Sequence, residues 1–112
     1  YVRYDGEMEF IRPVWWEEWP DAARESWTRA MACAETEYRF LLNAGSRPGQ
    51  AREVLPNSLK TEIVVTANLR EWRHIFRLRC AKAAHPQIRA LLSDCLAGFR
   101  EEIPVIFEDV AI

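Results

Sequence analysis

The sequence is short of the residue types on which most reactive sites are built. Of 112 residues only two are His, three are Cys, four are Gly and two, Lys60 and Lys82, are Lys. No Gly-rich phosphate loop is present, nor GxSxG, nor HExxH, nor any cysteine–histidine metal spacing. His74 and His85 lie too far apart along the chain to form a local metal site. Cys33, Cys80 and Cys95 are odd in number and lack CxxC spacing, which reads as reduced thiols in a cytoplasmic protein. No apolar run reaches about 18 residues, so no membrane-spanning helix is expected. The start, Tyr1-Val2-Arg3-Tyr4, has neither the form of a signal peptide nor an initiator Met, and residues upstream are expected to be missing or removed.

What is present fits one small domain with an ordinary apolar content. The net charge of −2 gives bulk electrostatics no reason to favour nucleic acid. The cations are nonetheless skewed, with thirteen Arg against two Lys. Arginine is the better fork for phosphate and carboxylate.

The densest chemistry lies between Asn68 and Arg79. At about 100° per residue, Arg70, Arg73, His74 and Arg77 share one helical stripe. Leu69, Trp72, Ile75 and Phe76 take the opposite side, which should turn toward a core. Arg79 falls among the apolar residues and is expected to face inward, where a guanidinium needs an anionic or acceptor-rich partner. Two readings stay open here: the wall of an anion-binding site, or a solvated basic face with one snorkelling Arg.

Around this stretch, residues 7–11 partly alternate and stop at Pro13, which predicts a short edge strand. Trp15, Trp16 and Trp19 lie in an aromatic connection that covers the core or lines a ligand site. Pro20 suits the opening of a long helix whose pattern runs through Trp27, Ala30, Ala34, Tyr38 and Leu41 until Gly45 stops it. A short helical piece over 50–54 ends at Pro56. Residues 59–67 alternate cleanly and predict the best strand in the chain. After Lys82 to His85, Pro86 opens a helix with Ile88, Leu91, Leu92, Cys95 and Phe99 at core spacing. Residues 103–107 close the chain as a short strand or irregular segment. The expected class is therefore mixed α+β, with helices packed on a small β-sheet.

Single residues leave alternatives of their own. His85 before Pro86 reads as a helix-entry residue or a proton shuttle. Cys80 beside the Arg cluster could be a lowered-pKa nucleophile, although no base is arranged for it. Asn68 either caps the following helix or offers a ligand both edges of its amide. Arg52 is an anion contact or a plain surface residue.

Taken together, Gln50-Ala51-Arg52-Glu53-Val54-Leu55-Pro56, Thr61, Thr66-Ala67-Asn68-Leu69-Arg70-Glu71-Trp72-Arg73-His74-Ile75-Phe76 and Leu78-Arg79 resemble the C-terminal part of the flavin-dependent thymidylate synthase (ThyX) family. The AR-x-x-LP, strand-Asn and LR blocks occur in the family's order and at its intervals. The resemblance implies reductive methylation of dUMP to dTMP. The methylene would come from 5,10-methylenetetrahydrofolate and the reducing equivalents from NADPH through FAD, in a homotetramer. It implies no catalytic side chain and no metal, because the hydride chemistry belongs to the cofactor. It places Asn68, Arg70, His74 and Leu78 at FAD, and Arg52 and Arg79 at dUMP, which would give Arg79 its partner.

The chain departs from the family pattern in two places. The RHR-containing signature would precede Tyr1, and only its tail could survive, closing at Tyr1 or at Arg3-Tyr4. The A-Q-x-E-I-R block appears as Ala84-His85-Pro86-Gln87-Ile88-Arg89, with Ala83 where a His is often used near FAD. On this resemblance the chain is one ThyX-like domain lacking its N-terminal part and inactive alone. The rival reading is a non-catalytic nucleotide- or nucleic-acid-binding module using the Arg-rich helix; a Trp-rich helical interaction domain is a third.

Overall fold

The computed structural model describes residues 6–111. The chain divides into two compact units, Tyr1–Glu62 and Ile63–Ile112. Both readings of the signature's closing Tyr fall outside the described residues.

The first unit is built on α1, Asp21–Asn43. Pro20 caps its start in extended conformation, and Gly45 ends it at φ 95°. There the Ser46 amide donates to the Leu41 carbonyl at 2.9 Å and the Gly45 amide to Leu42 at 3.1 Å. This crossed pair is the Schellman closure, which needs a left-handed residue at the position Gly45 occupies. A four-residue helix, α2 (Pro48–Ala51), runs into a 3-10 turn over Arg52–Val54, as the short helical pattern predicts. Met8, Tyr38 and Ala51 form the buried centre, with Phe10, Leu41, Leu42, Leu55 and Leu59 packed around it. Glu35 and Arg39 fasten the N-terminal segment to α1: Arg39 donates to Glu35 at 2.8 Å and to the Gly6 carbonyl at 2.5 Å, while Glu35 accepts from the Met8 amide.

Trp15, Trp16, Trp19 and Trp27 are not among the residues packed against Met8, Tyr38 and Ala51, and gather on one another instead. Trp16 meets Trp27 edge-on at 5.3 Å, and Trp15 meets Trp19 at 6.2 Å. The guanidinium groups of Arg12 and Arg24 lie 4.7 and 5.6 Å from the Trp16 ring centroid, a cation–π arrangement.

The expected β-sheet is not formed. Among the described residues the chain is helical and has no strand. The two predicted strands meet only at one antiparallel bridge, Phe10 with Leu59. Its frame is the Ile11 amide donating to Ser58 and the Lys60 amide to Glu9, with an ion pair from Lys60 to Glu9 at 2.8 Å. Beyond it residues 61–67 form no further bridge among the described residues, and Val64 is 96% exposed. Alternation marks a segment able to sit in a sheet, but a ladder exists only where a second backbone lies alongside. The class is corrected accordingly, from α+β to helical.

The second unit packs α3 (Leu69–Arg79), α4 (Pro86–Glu102) and the single turn α5 (Pro104–Phe107) around an aromatic core. Phe76, Cys80, Leu96, Phe107 and Val110 are fully or almost fully buried. The rings of Phe76, Phe99 and Phe107 meet edge-on at 5.1 to 5.8 Å. On α4 the inward residues are Leu92, Leu96, Phe99 and then Ile103, so the predicted core positions Leu91 and Cys95 turn outward. Both are a quarter-turn from the true stripe. The terminal segment, expected as a short strand or irregular, is instead the helical turn α5, opened by Pro104 and held by Arg100, which donates to the carbonyls of Phe107 and Val110.

Candidate functional site

Five of the six residues singled out for binding lie on or beside α3. The helix begins where Asn68, in extended conformation, accepts the Glu71 amide on Oδ1 at 2.8 Å. Glu71 in the first turn and Arg77 and Arg79 in the last complement the helix dipole. The amphipathic pattern holds at its centre: Phe76 is buried and Trp72 packs against Phe99 at 5.1 Å. At the two ends it fails. Leu69, on the arc expected to turn inward, is exposed.

The basic stripe divides into bound and unbound members. Arg73 was expected on the solvated face, but its guanidinium forks onto Asp109 at 2.6 and 3.3 Å and also donates to the Ile106 carbonyl. Asp109 is held below the ordinary carboxylate range by the hydrogen bond from Arg73, and Arg73 is raised by the same bond. Nothing in the local sequence signals this pairing, since the partners lie 36 positions apart. Arg73 is therefore a structural brace.

Arg70, His74 and Leu78 follow at four-residue intervals along one exposed face of α3. Among the described residues no hydrogen bond or ion pair engages the side chains of Arg70, His74 or Arg79. The expectation that Arg79 faces inward is wrong for this chain: the residue is exposed. Its angle does match the apolar arc. But the residue that enters the core at this end of α3 is its neighbour Cys80, which is fully buried, so the angle alone misplaces Arg79.

The remaining candidates resolve simply. Arg52 is exposed at the start of the 3-10 turn in the first unit, over buried Ala51. Cys80 is buried in the aromatic core, a packing role rather than a nucleophile's. His85 enters α4: its Nδ1 accepts the Gln87 amide at 3.1 Å, with Pro86 in the first turn. Arg89 reaches back to the Lys82 carbonyl at 2.9 Å and braces the turn between α3 and α4.

A site made of amide, guanidinium and imidazole groups on an outward helix face is suited to phosphate and carbonyl oxygens. The family model described as thymidylate synthase complementing protein matches residues 1–105. The chain belongs to that family. Flavin-dependent thymidylate synthases from Mycobacterium avium (strain 104) and Mycobacterium tuberculosis (strain ATCC 25618 / H37Rv) are each 38% identical to it over 96 residues. The relative from Mycolicibacterium vanbaalenii is equally similar. The alignments cover 82% of this chain and 38% of each relative, so the chain spans well under half the length of the curated relatives it matches.

Proposed function

We propose that this chain is the portion of a flavin-dependent thymidylate synthase that carries the Asn68–Arg79 helix and part of the nucleotide site. The reaction is the reductive methylation of dUMP: 5,10-methylenetetrahydrofolate gives the one-carbon unit, NADPH the reducing equivalents, and dTMP, tetrahydrofolate and NADP+ leave. The observation that carries this reading is the family match across nearly the whole chain.

The exposed face of α3 supports it. Asn68, Arg70 and His74 offer hydrogen-bond donors that no described residue takes up, and Leu78 adds an apolar surface beside them. That donor set fits FAD, which presents a pyrophosphate and ring carbonyl oxygens. Bound there, the flavin supplies the hydride transfer that no side chain of this chain can perform. Arg79 and Arg52 take the nucleotide, by bidentate hydrogen bonds to phosphate or to a uracil carbonyl. Buried Cys80 has no part in the chemistry. Self-association, as a homotetramer, and residues of the relatives' additional length complete the pocket.

The test is the absorption spectrum of the purified native-length protein. Flavin bands are expected, with bleaching by NADPH under anaerobic conditions and a spectral shift on adding dUMP. A protein that stays colourless after incubation with excess FAD, and shows no dUMP binding, overturns the reading.

A further inference from the structure

We infer that Asp109, acting through Arg73, is a positioning residue for the outward face of α3: their fork fixes the roll of the helix and so the directions of Arg70 and His74. This rests on the flavin-site reading above and adds the device that aims that site. On its inner side α3 is held by aromatic contact, Trp72 and Phe76 against Phe99 and Phe107. Such contact is non-directional, whereas a bidentate guanidinium–carboxylate pair has one preferred geometry. Arg73 supplies that pair. Among the described residues no other side chain of α3 is hydrogen-bonded to another element.

The anchor at the other end of this tie is itself fixed. Arg73 takes Asp109 and the Ile106 carbonyl, while Arg100 of α4 takes the carbonyls of Phe107 and Val110. The segment from Ile106 to Val110 is thus gripped from both helices, and Phe107 and Val110 plug it into the core beside Phe76. Arg73 directly precedes His74 and lies about 60° around the axis from Arg70, one turn away. A roll of about 10° displaces a group about 6 Å from the helix axis by about 1 Å. A misplacement of about 1 Å from a remote change can cost about a hundredfold. The pair adds less to stability, because the Asp109 side chain is 67% exposed and water screens the charge. Its contribution is direction more than strength.

Two substitutions separate aiming from stabilising. Arg73→Lys keeps the charge and loses the fork, since an ammonium is a point charge; Asp109→Ala removes the carboxylate. In the native-length protein both are expected to weaken FAD binding at least fivefold, measured where each is fully folded. Their melting temperatures should stay within about 4 °C of wild type. At saturating FAD the visible circular dichroism of the flavin should change shape, which a mere loss of folded protein would not produce. Asp109→Glu keeps the carboxylate and is expected to bind FAD within twofold of wild type.

Wild-type affinity and unchanged flavin dichroism in Arg73→Lys and Asp109→Ala overturn the inference while leaving the flavin site standing. So does a loss of affinity that only follows the unfolded fraction as temperature is varied, which would make the pair a stabilising contact and nothing more. Should Asp109→Ala fail to fold, the Arg73→Lys result decides alone. Failure of the wild-type protein to bind FAD removes the site itself, and this inference with it.

Discussion

Arg73 and Arg79 stand six positions apart on α3 with the same side chain, yet one forks onto Asp109 and the other ends in solvent. An exposed, unpaired residue contributes little to stability, and surface substitutions of this kind usually stay within about 0.5 kcal/mol. Arg79→Ala should therefore leave the urea unfolding midpoint unchanged while weakening dUMP binding at least tenfold in the native-length protein. Retained dUMP affinity by calorimetric titration would remove Arg79 from the nucleotide site. The sequence predicted which side of α3 turns inward at Phe76 and Trp72, and it offered both duties of Asn68 as alternatives. It could not show that Arg73 is bound, because the carboxylate that holds it lies near the far end of the chain and no local period connects them. Nor could it place Arg79, since helical angle does not say whether Arg79 or its neighbour Cys80 is the residue that enters the core.

At the scale of elements, the three long helices were legible, whereas the two predicted strands did not form. The reason is the range over which each closes its hydrogen bonds. An α-helix satisfies its backbone within four residues, so caps and spacing suffice to announce α1, α3 and α4. A strand requires a partner from elsewhere, and the alternation in residues 59–67 states only a capacity for one. The end of α1 gives a clean check on local reasoning. A methyl group on Gly45 would meet nothing within 4 Å, so the space around it is open. Its φ of 95° is the only obstacle. Gly45→Ala should cost about 1 kcal/mol in urea unfolding, all of it from backbone conformation. An unchanged midpoint would mean that the Schellman turn relaxes into another closure.

Across the whole molecule, stability should fall at acid pH for an identifiable reason. Glu35 is held below its ordinary range by the hydrogen bond from Arg39, Asp109 by that from Arg73 and Glu9 by that from Lys60. Each folded-state pKa lies below the unfolded value of about 4, so the native state binds fewer protons than the unfolded chain in that range. The associated stability is complete above the unfolded pKa and disappears as pH falls through the lower folded values. Urea midpoints should be level from pH 7 to about 5 and decline below about 4. Asp109→Asn should flatten part of that decline; an identical pH profile would take Asp109 out of the account.

The bare stretch around Val64 has a practical consequence for anyone keeping this polypeptide at high concentration. Ile63, Val64 and Val65 expose three branched side chains in a row, bracketed by Lys60 and Glu62 on one side only. Such a run can stack with its twin from another molecule into cross-β deposits. Stored solutions of residues 1–112 should cloud within days and bind thioflavin T, and Val64→Lys should keep them clear.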